Sequence, residues 1–294
     1  MEFKPLKNED IYKVRPLLTF LKSNTCDYSV GGLFLWKDVF KIESCFEDNV
    51  FYSLLKDSEN NVFYNLPVSD DIEASLKVLA SELKKTQNKL RFCTVPECYL
   101  ELFRNNFKVI EITEQPEFFD YIYNSNDLAY LSGRKFSGQR NQINQFKKLN
   151  EIWSYEDITE ENLEAIIDFL TSSYEFSDAD NLSKKTEYNI SLDGLKNFKE
   201  YGFTGGVLTI ADGQVVGFSL GEKINDTVYI HIEKADRNCK GAYQMVVNLF
   251  AEKYCQDAEF INREDDAGDE GLRISKLSYH PAEISKKYIV EIEV

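Results

Sequence analysis

The sequence predicts an α/β (α+β) chain of two similar lobes in tandem, each a mixed, mostly antiparallel sheet flanked by helices. Three observations carry that reading. The 294 residues, 43% hydrophobic and 14% aromatic, supply core for one large domain or two of ordinary size. Apolar spacing in the second half changes in the order helix, helix, three strands, helix, strand, helix, strand. The first half repeats that order of elements without repeating its residues.

From the start of the chain, "IYKVRPLLTFL" and "LFLWKDVF" carry helical spacing, while "IESCFED", "VFYSLLKD" and "NVFYNLPV" read as strands, with Glu59-Asn60-Asn61 turning the last pair. "DIEASLKVLASELKK" is an amphipathic helix, "KLRFCTV" a strand, "ECYLELFRNN" a helix and "FKVIEIT" a strand. In the second half Thr159 is placed to cap a helix over 159–172, with Leu163, Ile166, Ile167 and Leu170 on one face, and a second helix fits 183–201. "GGVLTIA" and "QVVGFSLGE" flank the hairpin turn Asp212-Gly213, and Asn225-Asp226 leads into "TVYIHIEKA", which makes an antiparallel meander. A helix over 242–254, the strand "AEFIN", a helix over 271–277 and the strand "KYIVEIEV" complete the order. The expected division is residues 1–126 as the N-terminal lobe and 127–294 as a basic joint plus the C-terminal lobe.

Composition removes several classes. No apolar run approaches the roughly 20 residues of a membrane span. The opening "MEFKPLKNEDIYKV" lacks the basic, apolar, small-residue order of a secretory signal, so a cytoplasmic protein is expected. The six cysteines show no paired short spacing, which points away from a zinc knuckle or a disulfide framework. His231-Ile232-Glu233 fits the H-x-E of zinc deaminases, yet no P-C-x-x-C follows. The acidic run 264–270 misses the calcium-loop pattern, because Ala267 and Gly268 stand where oxygen ligands belong. No permanently bound cofactor and no structural metal is expected.

A net charge of −16, with 50 acidic against 34 basic residues, argues against a surface that grips nucleic acid throughout. One stretch reverses the sign. "LAYLSGRKFSGQRNQINQFKKLN", residues 128–150, has no acid and carries Arg134, Lys135, Arg140, Lys147 and Lys148. It is either a solvated helix face or a local holder of a phosphate-bearing ligand.

The element order, a meander feeding a helix and then strand, helix, strand, is similar to the GNAT fold, the acyl-CoA N-acyltransferase fold. That resemblance implies that the fourth and fifth strands of a lobe splay apart and that amides opening the next helix hold the donor's pyrophosphate. A glycine before a helix N-terminus suits an anion physically as well. In the second half this loop is "DRNCKGAYQ", where Arg237, Lys240, Gly241 and Ala242 match Q/R-x-x-G-x-G/A in part, with Lys240 in place of the first glycine. The first half's loop, "PVSDDIEAS", is acidic and lacks glycine.

"TCDYSVGGLFLW", "GRKFSGQRNQINQF", "HIEKADRNCKGAYQ" and "NREDDAGDEGLRISKLSYHP" together resemble, over nearly the whole chain, a bacterial family grouped with the C-terminal domain of phosphatidylglycerol lysyltransferases. The resemblance implies tandem GNAT lobes and transfer of an activated acyl or aminoacyl group, with acyl-CoA or aminoacyl-tRNA as co-substrate. The basic joint would then meet a tRNA acceptor end. The chain is expected to differ from the lysyltransferases in lacking their membrane-spanning part.

Site residues follow from position. Glu233, at the end of the fourth strand, is placed to take a proton from an attacking amine; the competing reading is an ion pair with Lys234, Arg237 or Arg263. His231 shares its face, with a satisfied core histidine as the competing reading. Asn262, Arg263, Glu264, Asp265 and Asp266 follow the fifth strand. Arg263 suits a phosphate or carboxylate, and Asp265 or Asp266 an ammonium, against plain helix capping. Lys276 and Tyr279 come from the next helix and its exit; GNAT resemblance gives Tyr279 a general-acid role, and core packing competes. Trp36 and Trp153 are assigned to packing and His280 to a loop. Two functions stand: an acyl- or aminoacyltransferase acting on an amine or hydroxyl, and a non-catalytic binder of a small anionic or nucleotide metabolite.

Overall fold

Strand and helix spacing in the sequence resolves into two seven-stranded sheets. The computed structural model describes residues 1–174 and 182–294. In chain order the strands are β1 (Lys4–Pro5), β2 (Glu43–Glu47), β3 (Val50–Lys56), β4 (Val62–Tyr64), β5 (Lys89–Pro96), β6 (Lys108–Glu114), β7 (Asp120–Asn124), β8 (Trp153–Asp157), β9 (Thr204–Ile210), β10 (Val215–Ile224), β11 (Thr227–Ala235), β12 (Phe260–Asn262), β13 (Glu283–Ser285) and β14 (Lys287–Glu293). The first sheet runs β1-β2-β3-β4-β5-β14-β6 and the second β13-β7-β12-β11-β10-β9-β8.

Read from opposite ends, the two orders are one pattern: four strands of a meander and its parallel neighbour, then an inserted antiparallel strand, then an edge. The inserted strand comes from elsewhere in the chain each time. β14, the last strand, fills the slot between β5 and β6, and β7 pairs antiparallel with β12. The compact units follow suit. One consists of Met1–Tyr121, Glu264–Ile274 and Glu283–Val294, the other of Ile122–Arg263 and Ser275–Ala282. A single cut near residue 126 therefore does not describe the partition. "KYIVEIE" alternates well enough to occupy any open slot, and local pattern specifies a strand without specifying its sheet.

The helices are α1 (Ile11–Leu18), α2 (Val30–Phe34), α3 (Ile72–Leu83), α4 (Leu100–Asn106), α5 (Ser125–Tyr130), α6 (Ser137–Leu149), α7 (Leu163–Ser173), α8 (Leu182–Lys196), α9 (Ala242–Tyr254) and α10 (Glu270–Leu277). In the second unit α9 packs on β9, β10 and β11 and buries Ala242, Met245, Val246, Val247, Phe250 and Ala251. Each large apolar side chain so buried contributes about 1.5–3 kcal/mol. In the first unit α3 buries Leu76, Leu79 and Ala80, and the Asp71 side chain caps it by accepting from the Ala74 amide.

Two local features position the site. β11 and β12 pair in parallel at Thr227/Phe260, Val228/Ile261 and Tyr229/Asn262. β12 then stops while β11 continues to Ala235, so the two strands part. A bulge on β11 sits between Ile230 and Ile232, where the register against β10 shifts, and His231 is its extra residue.

Candidate functional site

The opening between β11 and β12 is bridged by one ion pair. Arg263, the first residue after β12, donates from Nη2 to Glu233 Oε1 at 2.6 Å and from Nε to Oε2 at 3.2 Å. This is the fork geometry that planar guanidinium and carboxylate favour. The guanidinium carbon lies 4.8 Å from the Tyr279 ring centroid and 5.7 Å from that of Tyr123, so two aromatic faces hold it in place. Lys276 Nζ donates to the Arg263 carbonyl at 2.6 Å, and the Tyr123 hydroxyl donates to the Lys276 carbonyl at 2.9 Å.

Burial here is nearly complete: Arg263 is 9% exposed and Tyr279 3%. Burial opposes the arginine's charge, but Glu233 more than offsets it and holds the guanidinium above its ordinary pKa. Burial likewise raises the Tyr279 phenol, against a lowering by Arg263, so the phenol stays protonated. At this opening two donors, Arg263 Nη1 and the Tyr279 hydroxyl, have no hydrogen-bond partner among the described residues.

Of the other expected site residues, His231 is hydrogen-bonded through Nε2 to Glu222 Oε1 at 2.9 Å and stacked on Tyr229. Asn262 is buried at the last paired position of β12. Glu264 has a left-handed backbone and accepts from the Tyr121 amide at 3.2 Å through its carbonyl.

Asp266 differs from the expectation that it lines a reaction cleft. It is 1% exposed, accepts from Arg273 Nε (2.8 Å) and Nη2 (2.9 Å), from the Tyr121 hydroxyl (2.6 Å) and from the Gly268 amide (2.9 Å). The Arg273 guanidinium, against burial and with help from Tyr121 and Gly268, holds its carboxyl down at about 2. Its acceptor capacity is spent on folding the loop. Asp265 accepts from the Ala267 amide at 2.9 Å, a local turn bond.

The glycine loop before α9 also differs. Gly241 has φ of 83°, and a Cβ there would lie 2.2 Å from the Gln142 carbonyl oxygen of α6. The glycine is required for close helix packing. Ala242 is buried at the first position of α9, whereas Arg237 and Lys240 are exposed. In the basic stretch Arg140 turns onto the carbonyls of Leu131 and Gly133, where it satisfies the end of α5. Lys135 pairs with Asp127 at 3.0 Å, and Lys147 lies over the Trp153 ring. Arg134, Lys147 and Lys148 remain on the surface.

A second charged cluster, in the first unit, was not singled out from the sequence. Lys287 Nζ, fully buried, contacts Asp27 at 2.6 Å and Asp120 at 2.8 Å and Cys26 Sγ at 3.4 Å. Asp120 also accepts from the Cys26 amide at 2.6 Å. Burial works against the lysine's charge, but Asp120 and then Asp27 outweigh it and hold the ammonium well above the usual lysine range. Cys26 Sγ and the carboxylates of Asp120 and Asp265 lie within 4.8 Å of one another, a donor set able to ligate a divalent cation. Lys287 already supplies positive charge there. The available signals were charged residues set inside apolar or aromatic runs, "FFDYIY" and "SKKYIVEIEV".

Residues 18–291 match the family described as phosphatidylglycerol lysyltransferase, C-terminal. The chain belongs to that family. Membership in the phosphatidylglycerol lysyltransferase C-terminal family places it in an aminoacyl-transferase family. A conserved protein of unknown function from Bacteroides thetaiotaomicron, 30% identical, superposes with a TM-score of 0.90 over 100% of both chains. The C-terminal domain of a putative lysylphosphatidylglycerol synthetase from Agrobacterium fabrum, 12% identical, gives 0.66 over 97% of this chain and 92% of its own. L-PGS from Bacillus licheniformis, 13% identical, gives 0.64 over 95% and 90%. The last two share the fold. Among the described residues no helix is long and apolar enough to cross a membrane.

Proposed function

We propose that the chain is an aminoacyltransferase that moves the acyl group of an aminoacyl-tRNA ester to an amine or hydroxyl acceptor at the opening between β11 and β12. The observation that carries this reading is the pair of buried Arg263 and half-buried Glu233 bridging that opening, where a GNAT fold works on its acyl donor. In the reaction the acceptor nitrogen or oxygen bonds to the carbonyl carbon and the ester C–O bond breaks. The acceptor's proton passes to the released ribose oxygen.

Two features support an aminoacyl ester over acyl-CoA. The loop before α9 spends its glycine on packing against the Gln142 carbonyl, a poor neighbour for a pyrophosphate, and it carries Lys240 where the CoA loop has glycine. In a chain of net charge −16, exposed Arg134, Lys147 and Lys148 offer a local strip of positive charge to an RNA acceptor end. One observation favours the second reading, a non-catalytic binder: both Glu233 oxygens are taken by Arg263, so the carboxylate is not a free base.

The test is to incubate the protein with tRNA charged with labelled amino acids in the presence of a cell extract as acceptor, with acyl-CoAs in parallel. The reading expects label to leave tRNA into a stable product, and Arg263→Ala to slow that by roughly 100-fold. Release of free CoA with untouched aminoacyl-tRNA would overturn the donor. Turnover of neither, with ligand binding intact, would establish the binder.

A further inference from the structure

We propose that Arg263 Nη1 and the Tyr279 hydroxyl together receive the oxygen of the donor's acyl carbonyl; this rests on the transferase reading above and adds the residues that stabilise the charge formed on that oxygen. The two donors are buried, and neither meets an acceptor among the described residues. A buried donor without an acceptor is costly and rare in folded proteins. Here two occur on one guanidinium and on the ring it stacks against, 4.8 Å from guanidinium carbon to ring centroid.

Geometry and charge together identify the ligand class. Glu233 occupies the edge of the guanidinium formed by Nε and Nη2, which leaves Nη1 at the far end of a plane that cannot rotate without breaking the fork. The same fork neutralises the arginine's charge. A permanently charged phosphate or carboxylate would have to compete with Glu233 for it. A carbonyl oxygen would not, because it is neutral in the bound ester and gains negative charge only as the nucleophile adds. Preorganised donors aimed at an oxygen that becomes charged in the transition state are the arrangement that lowers such a barrier most. Tyr279, a phenol kept protonated by its burial, donates without giving up its proton. Glu233 is a positioning residue on this reading, and Lys276, bonded to the Arg263 carbonyl, fixes the backbone behind it.

During transfer the acceptor's nitrogen or oxygen adds to the carbonyl carbon. The oxygen held by Arg263 and Tyr279 takes up the displaced electron pair, which returns to re-form the C=O bond as the ribose oxygen leaves with the acceptor's proton.

Two probes separate this proposal from the reading beneath it. An aminoacyl-adenosine 3′-amide mimics the bound ester, and the corresponding 3′-phosphonate mimics the charged tetrahedral species. Calorimetric titration of wild type, Tyr279→Phe and Arg263→Lys is expected to show wild type binding both. Tyr279→Phe should weaken the phosphonate by roughly 10- to 100-fold and the amide by less than about threefold, with kcat lowered and KM held in the transfer assay. Because the hydroxyl has no structural partner, Tyr279→Phe should melt no lower than wild type, which a purely structural role would not allow. Wild-type affinity for both probes in Tyr279→Phe and Arg263→Lys overturns the oxyanion assignment alone. A wild type that binds neither probe overturns the transferase reading and this proposal with it.

Discussion

In the first unit β4 and β5 share one parallel position, Tyr64 opposite Phe92; in the second, β11 and β12 share three, ending at Tyr229 opposite Asn262. Stepping outward equally from those last pairs, 64 to 68 and 229 to 233, sets Val68 where the other unit has Glu233. Stepping 92 to 93 and 262 to 263 sets Cys93 where it has Arg263. One residue further, the backbone turns left-handed in both places, Thr94 at φ 47° and Glu264 at φ 59°. A β-branched residue in that conformation is strained, so the turn belongs to the frame and is kept even where the residue suits it poorly. The contents have diverged. Val68 and Cys93 are buried, and burial lifts the Cys93 thiol to about 12, which removes it as a nucleophile. The backbone opening is common to both units; the first lines it with buried Val68 and Cys93 beside an unpartnered Thr94 hydroxyl, and the second with an ion pair and two donors, Arg263 Nη1 and the Tyr279 hydroxyl, that lack acceptors among the described residues.

The largest effect should come from the charges that the first unit keeps for structure. Lys287→Ala leaves buried Asp120 and half-buried Asp27 without their cation, and removal of one partner from such a cluster costs about 3–5 kcal/mol. Urea unfolding should show a lower midpoint in that range. A loss under about 1 kcal/mol would mean that the cluster is compensated by something other than Lys287.

Next comes an exchange of contents. Arg263→Cys alone strands Glu233 in a largely buried site and should destabilise by about 3 kcal/mol, whereas Glu233→Val with Arg263→Cys copies the first unit's pair and should recover to within about 1–2 kcal/mol of wild type. Transfer should be slowed by roughly 100-fold or more in both. Retained activity in the stable double variant would remove the distinction between the two openings.

The carboxylates divide in the same way. Asp266, buried and bonded to Arg273, titrates at about 2 instead of near 3.8. Its folded pKa is depressed, so its contribution is complete above about pH 4 and is lost as pH falls through 2, at most about 2 kcal/mol. Asp266→Asn should lose that pH-dependent component and melt lower at neutral pH. An unchanged acid limb in the variant would place the pH dependence elsewhere.

Much of the frame was legible because it is written locally. Asp212 and Gly213, with φ of 62° and 73°, turn β9 into β10 where an Asp-Gly pair between alternating runs says they should. The sheet to which β14 belongs was not legible, since its slot is made by residues far from it in sequence. Lys287 in an alternating strand reads as solvent-facing until Asp27 and Asp120 are brought to it. For Glu233 the sequence allowed both a base and a partner for Arg263, and the ion pair is what forms. Gly241 reads in sequence as part of a phosphate loop, and only the position of the Gln142 carbonyl shows it as a close-packing glycine. The unpartnered donors on Arg263 and Tyr279 leave no trace in the sequence, because a missing acceptor is a property of the surroundings.

The smallest expected effect concerns the helices that follow the two fourth strands. α3 begins on Asp71, whose side chain accepts from the Ala74 amide at 3.0 Å, while α9 begins on Gly241 with no side-chain cap. An aspartate cap replaced by alanine typically costs about 1 kcal/mol, through one first-turn amide left to water and the loss of a negative charge from the positive end of the helix dipole. Asp71→Ala should therefore lower the unfolding free energy by that amount, and Asp71→Asn, itself a good cap, should recover most of it at high salt, where the charge term is screened. At α9 the trade is reversed. The position has given up a cap so that a residue without Cβ can meet the Gln142 carbonyl, and its left-handed φ would strain any side chain placed there to cap the helix. If Gly241→Asp, which adds a cap of the kind α3 uses, proved as stable as wild type, the close approach of α6 would not be what holds glycine at that position, and the loop would return to being a candidate for anion binding.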